Sequence, residues 1–139
     1  MKQKVIFICT GNSCRSQMCE GLLRNMTGDK YDVFSAGLKP SFVNLNAIKV
    51  MNEIGVDISK HISVDVNRYI GDEFDYIITV CDNAKESCPV FPGKGKRIHW
   101  SFNDPEDAVG NEEEVLNEFR KVRDQIKLTL KQFIDEQNS

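Results

Sequence analysis

A cysteine and an arginine, Cys9 and Arg15, lie six positions apart, just after the apolar run Val5-Ile6-Phe7-Ile8. A loop of this length can curl so that its backbone N–H groups and the arginine guanidinium point at one anion. The guanidinium is planar and permanently charged, so it matches two oxygens of a phosphate-like group better than a lysine would. The spacing therefore predicts a site in which a tetrahedral oxyanion faces a reactive sulfur.

The rest of this loop suits the same chemistry. A catalytic cysteine attacks as the thiolate, so it needs positive surroundings that lower its pKa to roughly 3.5–7.5. Gly11 has wide backbone freedom and leaves room for an anion, and Ser16 can cap the next helix and donate a hydrogen bond to the Cys9 thiolate. The residues predicted to bind the oxyanion and support the thiolate are Thr10, Gly11, Asn12, Ser13, Cys14, Arg15 and Ser16. The alternative, a buried strand-end cysteine beside a Gly-Asn turn, does not account for the arginine.

Length and charge exclude several classes of function. At 139 residues the chain can bury a sizeable core, and we predict a single domain over residues 1–139. The net charge of -3 argues against a nucleic-acid-binding protein, which needs a basic surface. The N-terminal apolar run is too short for a signal peptide or a membrane span. We expect a cytoplasmic monomer with no membrane or nucleic-acid partner.

The cysteine pattern fits neither a secreted fold nor a zinc site. The chain has an odd set of cysteines: Cys9, Cys14, Cys19, Cys81 and Cys88. No tight Cys-x2-Cys pair occurs, and His61 and His99 stand alone, so no tetrahedral zinc site is predicted. Cys19 is predicted to pack as a structural residue. Cys14 either packs within the loop or forms a protective disulfide with Cys9.

Hydrophobic periodicity predicts alternating strands and helices. Strands are predicted over residues 5–8, 31–35, 76–80 and 97–100. Helices are predicted from Ser16 to about Gly28, from Asn44 to Ile54, and after Asn111, with Val115, Phe119, Val122, Ile126, Leu130 and Phe133 on one face. This alternation predicts an α/β fold, a single three-layer domain with helices on both faces of a parallel sheet. Ligands of such sheets bind beyond the carboxyl ends of the strands, where Cys9 and Cys81 both lie.

Cys81 and Cys88 allow two interpretations. They can be unrelated cysteines, or they can form a relay in which Cys81 attacks a modified Cys9 and Cys88 resolves the resulting disulfide. If the residues between them were helical, seven steps would span roughly 10 Å. The Cα atoms of a disulfide lie only about 4.4–6.8 Å apart, so a relay requires this segment to unwind or to bulge outward.

Asp104 is a candidate general acid. It precedes Pro105, which favours an extended backbone at Asp104. A protonated carboxyl there can give its proton to an oxygen that leaves a tetrahedral centre. An Asp-Pro pair by itself is also a common turn.

Motifs along nearly the whole chain resemble those of the thioredoxin-coupled arsenate reductases, which share their fold and anion loop with the low-molecular-weight protein tyrosine phosphatases. These motifs are Cys9-Thr-Gly-Asn-Ser-Cys-Arg-Ser-Gln-Met with Glu20-Gly21, Ser35-Ala36-Gly37, Thr79-Val80-Cys81, Cys88-Pro89, His99-Trp100 and Asp104-Pro105. The resemblance implies a four-stranded parallel sheet flanked by helices. It also implies that Cys9 attacks arsenate, that Arg15 clamps the oxygens, that Ser16 supports the thiolate and that Asp104 protonates the leaving hydroxyl.

The redox steps follow from the same resemblance. Cys81 would attack Cys9 as arsenite leaves, and Cys88 would then attack Cys81. The resulting Cys81–Cys88 disulfide would be reduced by thioredoxin, the implied electron donor. The implied partners are arsenate, with phosphate or sulfate as competing anions, and thioredoxin, and no tightly bound cofactor is implied.

Potassium is the one cofactor that the resemblance leaves in doubt. Some members support the loop with a potassium ion through residues that match Asn12, Glu20 and Ser35. Two further potassium ligands of those members correspond here to Ile62 and Val64, which have no side-chain oxygen. The neighbouring residues Ser63 and Asp65 are candidate substitutes.

Two other functions remain open. A phosphatase would share the loop and the general acid, but phosphatases of this type carry a tyrosine after the Asp-Pro pair, where this chain has Glu106 and Asp107. They also do not need Cys81 and Cys88. A non-enzymatic redox sensor or anion-binding module could use the same thiols, and it would show thiol oxidation without turnover.

Overall fold

The computed structural model describes residues 2–82 and 90–138. The strands in these ranges are β1 (Gln3–Cys9), β2 (Tyr31–Gly37), β3 (Tyr76–Thr79) and β4 (Lys96–His99). The α-helices there are α1 (Arg15–Thr27), α2 (Leu45–Asn52) and α3 (Glu112–Gln137), and short 3-10 helices lie at Gly28–Lys30, Val66–Tyr69 and Pro105–Asp107. Each predicted strand and helix is present, with ends shifted by one or two residues.

The strands form one sheet in which all neighbours are parallel, in the order β2-β1-β3-β4. This confirms the predicted four-stranded parallel sheet. β1 is central, and its residues from Val5 to Ile8 are fully buried, as expected for an unbroken apolar run. The Val80 N–H donates to the Ile8 carbonyl at 2.9 Å, so the chain after β3 continues alongside β1. Cys9 and Cys81 therefore follow neighbouring strands at the same edge of the sheet.

Helices cover both faces of the sheet, as predicted, but unequally. The face that carries Val5 and Phe7 packs against α1, α2 and α3. The opposite face, which carries Ile6 and Ile8, packs against the 3-10 helix at Val66–Tyr69. Within the described residues, this single turn is the helical layer on that face. The loop after β1 leads into α1, which belongs to the layer of three helices on the other face.

The C-terminal helix α3 packs against the sheet as its sequence predicts. Asn111 and Glu114 form a capping box at its start. The predicted apolar face is buried except for Val115, which is only half-buried. Leu116, which was not predicted to lie on this face, is buried as well. α3 also buries Arg123, which donates to the Val50 carbonyl at 2.8 Å. Neither α3 nor any other helix in the described ranges is long and apolar enough to cross a membrane.

Candidate functional site

The Cys9 sulfur lies within the predicted anion loop and has two polar neighbours. The Asn12 backbone N–H donates to Sγ at 3.3 Å, and the Ser16 Oγ lies 2.9 Å from Sγ. Cys9 itself is only 2% exposed. A nucleophilic sulfur therefore lies at the base of the loop, within reach of polar groups of the loop and of helix α1.

The side chain of Asn12 is hydrogen-bonded to the hydroxyl of Ser16. Its Nδ2 donates to Ser16 Oγ at 2.7 Å and to Ser35 Oγ at 3.0 Å. The Ser35 hydroxyl in turn donates to Glu20 Oε1 at 2.5 Å. Because Ser16 Oγ already accepts from Asn12, its own proton can point at the Cys9 sulfur. The predicted contact between Ser16 and Cys9 is therefore present.

Two local predictions about the loop are wrong. Ser16 does not cap α1, because the helix begins at Arg15, its N-cap position is Cys14, and no side chain caps it. Ser16 lies in the first turn, where its hydroxyl reaches back to the sulfur. The left-handed backbone conformation belongs to Asn12, with φ 48°, and not to Gly11. Asparagine tolerates this conformation because its short polar side chain bonds locally.

The anion loop packs directly on Gly37 at the end of β2. A Cβ atom at position 37 would lie 2.8 Å from the Asn12 backbone nitrogen and 2.9 Å from the Thr10 carbonyl oxygen. These are backbone atoms, so the loop itself would have to move. We expect Gly37→Ala to destabilise the fold by about 1–3 kcal/mol, as overpacking does, and to slow alkylation of Cys9 by iodoacetamide.

Thermal unfolding and the alkylation rate check this prediction. Gly11→Ala is the matched control for stability, since its Cβ would meet its nearest atom, Ser13 Oγ, at an ordinary 3.4 Å. If Gly37→Ala matched the wild type in both measurements, the close packing of Gly37 against Asn12 would not support the site.

Arg15 and Asp104 face each other across the site. The Arg15 side chain is buried, its Nη1 donates to the Phe102 carbonyl at 3.2 Å, and its Nη2 lies 3.4 Å from Asp104 Oδ2. Both residues line one cavity of ≈ 370 Å³. Its walls are formed by Cys9, Thr10, Gly11, Ser13, Cys14, Arg15, Ser41, Asp104, Glu106 and Asp107. The structure thus brings together the predicted nucleophile, anion clamp and general acid.

The surroundings of Asp104 favour its protonated form. Burial raises the pKa of the Asp104 carboxyl, and the opposing effect of Arg15 is smaller. Asp104 also accepts the Glu106 N–H at 3.0 Å, as the N-cap of the 3-10 helix Pro105–Asp107. This bond fixes the orientation of the carboxyl toward the cavity. A fixed carboxyl that holds its proton to higher pH is suited to general-acid catalysis.

Cys81 lies beside Cys9 in the sheet but does not open into the same cavity. Its sulfur is 3.8 Å from the Ile8 carbonyl oxygen, the residue is fully buried, and it is absent from the cavity wall. Cys81 is disulfide-bonded, whereas Cys9, Cys14 and Cys19 have free thiols. Cys88, the predicted last member of the relay, lies outside the described residues. Neighbouring strands are expected to bring Cys9 and Cys81 into one crevice. β1 and β3 are neighbours, but in this state Cys81 does not open into the Cys9 cavity.

The two other thiols lie in environments that keep them protonated. Burial, followed by the charges of Glu106 and Asp104, raises the pKa of Cys14. Burial also raises the pKa of Cys19, which packs in the core between α1 and the sheet. Cys14 faces the cavity as a free thiol, so no disulfide to Cys9 is present.

Gln17 and His61 support the loop, and neither was predicted from the sequence to do so. Gln17 Nε2 donates to Asn12 Oδ1 at 3.1 Å and to the Ile62 carbonyl at 2.9 Å. Its Oε1 lies 2.9 Å from His61 Nδ1, which must be the donor in this pair. Burial lowers the pKa of His61, which favours this neutral form. A glutamine in the first helical turn and a distant histidine give no local signal of this contact.

The residues that match potassium ligands do not fit that ion in this structure. Asn12 Oδ1 accepts from both Gln17 Nε2 and the Val64 N–H. The two oxygens of Glu20 accept from the Ser35 hydroxyl and from Arg24 Nη2, the latter at 2.8 Å. The guanidinium of Arg24 therefore already supplies the positive charge beside Glu20. Among residues 2–82 and 90–138, no three His, Cys, Asp or Glu side chains come together as a metal site.

A larger cavity, of ≈ 970 Å³, lies at the amino-terminal ends of the strands. Its wall combines Lys4 and Lys96 with Asp32 and Asp75, and it contains no cysteine. The wall therefore carries charges of both signs and has neither the cysteine nor the buried arginine of the Cys9 cavity. The chemistry of the chain is therefore concentrated in the smaller cavity.

Comparison with known proteins agrees with this geometry. Residues 4–138 match the family described as low molecular weight phosphotyrosine protein phosphatase. The chain belongs to this family. An arsenate reductase of Halalkalibacterium halodurans is 46% identical over 136 residues, which cover 97% of this chain and 98% of that protein.

Solved structures point to the same members of the family. An arsenate reductase in the oxidized state is 32% identical, with a TM-score of 0.80 over 96% of this chain and 98% of that one. A thioredoxin-dependent arsenate reductase of Corynebacterium glutamicum is 26% identical, with a TM-score of 0.63 over 92% of this chain and 63% of that one. The fold and anion loop are thus common to the family, and the similar proteins include reductases.

Proposed function

We propose that this chain reduces arsenate to arsenite through successive attacks by Cys9, Cys81 and Cys88. The observation that carries the proposal is the pairing of two features. An oxyanion cavity holds Cys9, Arg15 and Asp104, and a disulfide-bonded cysteine, Cys81, follows the neighbouring strand. A phosphatase needs only the first feature.

In the first step the Cys9 thiolate attacks the arsenic atom. A sulfur–arsenic bond forms while Arg15 binds the arsenate oxygens, and one As–O bond breaks. The leaving hydroxide takes a proton from Asp104 and departs as water. Arsenic is still As(V) in this adduct, so no electron has yet been transferred.

The second step is the reduction. The Cys81 thiolate attacks the Cys9 sulfur, a Cys9–Cys81 disulfide forms, and the sulfur–arsenic bond breaks. The bonding electron pair stays on arsenic, which leaves as arsenite, As(III). Cys88 then attacks Cys81, releases the Cys9 thiolate and forms a Cys81–Cys88 disulfide. A dithiol donor, for which we propose thioredoxin, then reduces that disulfide to the two thiols, and its own two thiols become a disulfide.

The buried position of Cys81 limits how an external reductant can act. In its disulfide-bonded state Cys81 is fully enclosed, so a reductant must attack the other sulfur of that disulfide. Attack by a third cysteine moves the disulfide toward the segment after β3. The name of the Corynebacterium glutamicum relative supports thioredoxin as the donor.

Protein tyrosine phosphatase activity is the second candidate, since the family name itself describes it. Phosphatases of this type carry a tyrosine after the Asp-Pro pair, whereas here Glu106 and Asp107 follow Pro105 and form part of the cavity wall. We propose arsenate as substrate, with phosphate or sulfate as competing anions, and a cytoplasmic monomer with no tightly bound cofactor.

A side-by-side assay separates the two candidates. Arsenate-dependent oxidation of NADPH, coupled through thioredoxin and thioredoxin reductase, is measured in parallel with hydrolysis of an aryl phosphate on the same preparation. We expect multiple turnovers of arsenate and slow hydrolysis at most. Efficient hydrolysis without arsenate reduction would select the phosphatase. Thiol oxidation without either turnover would select the redox sensor.

A further inference from the structure

The carboxylate of Glu106 connects two parts of the chain at the rim of the anion cavity. Ser13 Oγ, in the anion loop, donates to Oε1 at 2.6 Å. Asn44 Nδ2, at the N-cap of α2, donates to Oε2 at 2.9 Å. Hydrogen bonds to a carboxylate are shorter and stronger than those between neutral groups. We refer to Ser13, Asn44 and Glu106 as the Glu106 bridge.

The Glu106 bridge also controls the turn that carries Asp104. The Glu106 N–H donates to Asp104 Oδ1 at 3.0 Å, and the other oxygen of Asp104 lies 3.4 Å from Arg15 Nη2. One end of the turn is thus held through Arg15, and the other end is held by the Glu106 carboxylate. Without that carboxylate, nothing on the Glu106 side chain would tie the turn to the anion loop.

A carboxylate at this position is unfavourable for binding an anion. Asp104, Glu106 and Asp107 all line the cavity that contains Arg15, and like charges repel a bound oxyanion. Asp107 makes no side-chain hydrogen bond or ion pair to the anion loop among the described residues, whereas Glu106 makes one at short distance. The Glu106 carboxylate therefore weakens the binding of an oxyanion by repulsion, but it also makes a specific hydrogen bond to the anion loop.

We propose that Glu106 is a positioning residue, which holds the 104–107 turn closed against the anion loop so that Asp104 faces the leaving oxygen of the bound oxyanion. The proposal rests on the proposed function, because that function assigns the general acid. It predicts that activity falls when the Glu106 carboxylate is removed, which a purely electrostatic role would not predict. Removal of a repelling charge alone would raise kcat/KM for arsenate, whereas loss of positioning lowers kcat.

The first test compares Glu106→Ala with Asp107→Asn in the coupled arsenate assay on the full chain. We expect kcat to fall about tenfold or more in Glu106→Ala, the size of one lost hydrogen bond to a charged group. KM should stay the same or decrease in both variants, because each loses a negative charge near Arg15. In Asp107→Asn, which removes a repelling charge but no contact to the anion loop, we expect kcat/KM for arsenate to rise.

The pH profile adds a readout that distinguishes charge from positioning. The charged groups that act on Asp104 are Arg15, Glu106 and Asp107, and both carboxylates raise its pKa. Both variants should therefore move the alkaline limb of kcat to lower pH. Only Glu106→Ala should also lower the plateau of that profile.

Asn44→Ser tests the bridge from its other end. Serine keeps a good N-cap for α2 but removes the donor to Glu106 Oε2. We expect a smaller fall of kcat in the same direction, and in Glu106→Ala the additional Asn44→Ser change should have no further effect. Glu106→Gln, which keeps an oxygen for the Ser13 hydroxyl, should recover part of kcat and serves if Glu106→Ala unfolds early.

These outcomes separate the proposal from the function on which it rests. If the wild type does not reduce arsenate, the proposed function fails before any variant is compared. If it does, an unchanged or increased kcat in Glu106→Ala, or additive losses in the Asn44→Ser double variant, would overturn the role of Glu106.

Discussion

Cys81→Ser should abolish the release of arsenite while it leaves the anion site intact. Serine cannot form a disulfide with Cys9, so the sulfur–arsenic adduct has no route to As(III). The substitution lies one strand away from the cavity, and Cys81 is absent from the cavity wall. We therefore expect no arsenite above the background of a reaction without the protein, together with unchanged competition by phosphate for alkylation of Cys9.

Substitutions of Cys81 and of Cys88 should release different amounts of arsenite per chain, so the order of the relay can be measured. Cys88→Ser should release one arsenite per chain and then stop, with a Cys9–Cys81 disulfide that mass spectrometry detects. Cys81→Ser should release none. Both variants are measured in a single-turnover reaction, without thioredoxin, after full reduction of the chain.

Cys19→Ala is the matched control, since Cys19 is a buried free thiol in the core. It removes a sulfur from the same region and should keep multiple turnover. Because Cys81 is also fully buried, thermal unfolding of Cys81→Ser and Cys81→Ala shows whether either variant still folds. Multiple turnover in a folded Cys81 variant would remove Cys81 from the mechanism.

Short-range patterns of the sequence predicted most of the fold and the centre of the site. The apolar runs predicted the strands, and the rule that parallel strands end at one edge placed Cys9 and Cys81 at the same edge of the sheet. The anion loop was predictable because its nucleophile, its donors and Arg15 lie within eight consecutive residues. The Asp-Pro pair located Asp104 because proline restricts the residue before it.

Contacts between distant parts of the chain were not predictable in this way. Glu106 bonds to Ser13 across 93 residues, and His61 bonds to Gln17 across 44 residues. Neither pair has a periodicity or a spacing that marks it, since the fold alone brings the partners together. The orientation of Cys81 was also hidden, because adjacency of two strands does not determine whether a side chain faces the cavity or the core.

Asp104→Asn should lower the rate of arsenite formation by roughly 10²–10⁴-fold, the usual contribution of a general acid. Asparagine keeps an oxygen that can accept the Glu106 N–H, so the 3-10 helix at Pro105–Asp107 should persist. It cannot give a proton to the leaving hydroxide. The arsenic–oxygen bond must then break with full negative charge on the leaving group, or with a proton from water.

The pH dependence of the rate also differs between the wild type and Asp104→Asn in a predictable direction. Burial raises the pKa of Asp104, so the wild-type carboxyl keeps its proton on the acidic side of that pKa and loses it as the pH rises through it. Single-turnover rates should therefore fall on the alkaline side for the wild type, and this limb should be absent in Asp104→Asn. Asp107→Asn, in the same turn, should keep the limb. If Asp104→Asn retained the alkaline limb and a rate within about tenfold of the wild type, the proton would have to come from another group in the cavity. The next residue to substitute would then be Cys14, because its thiol lines the cavity and is held protonated there.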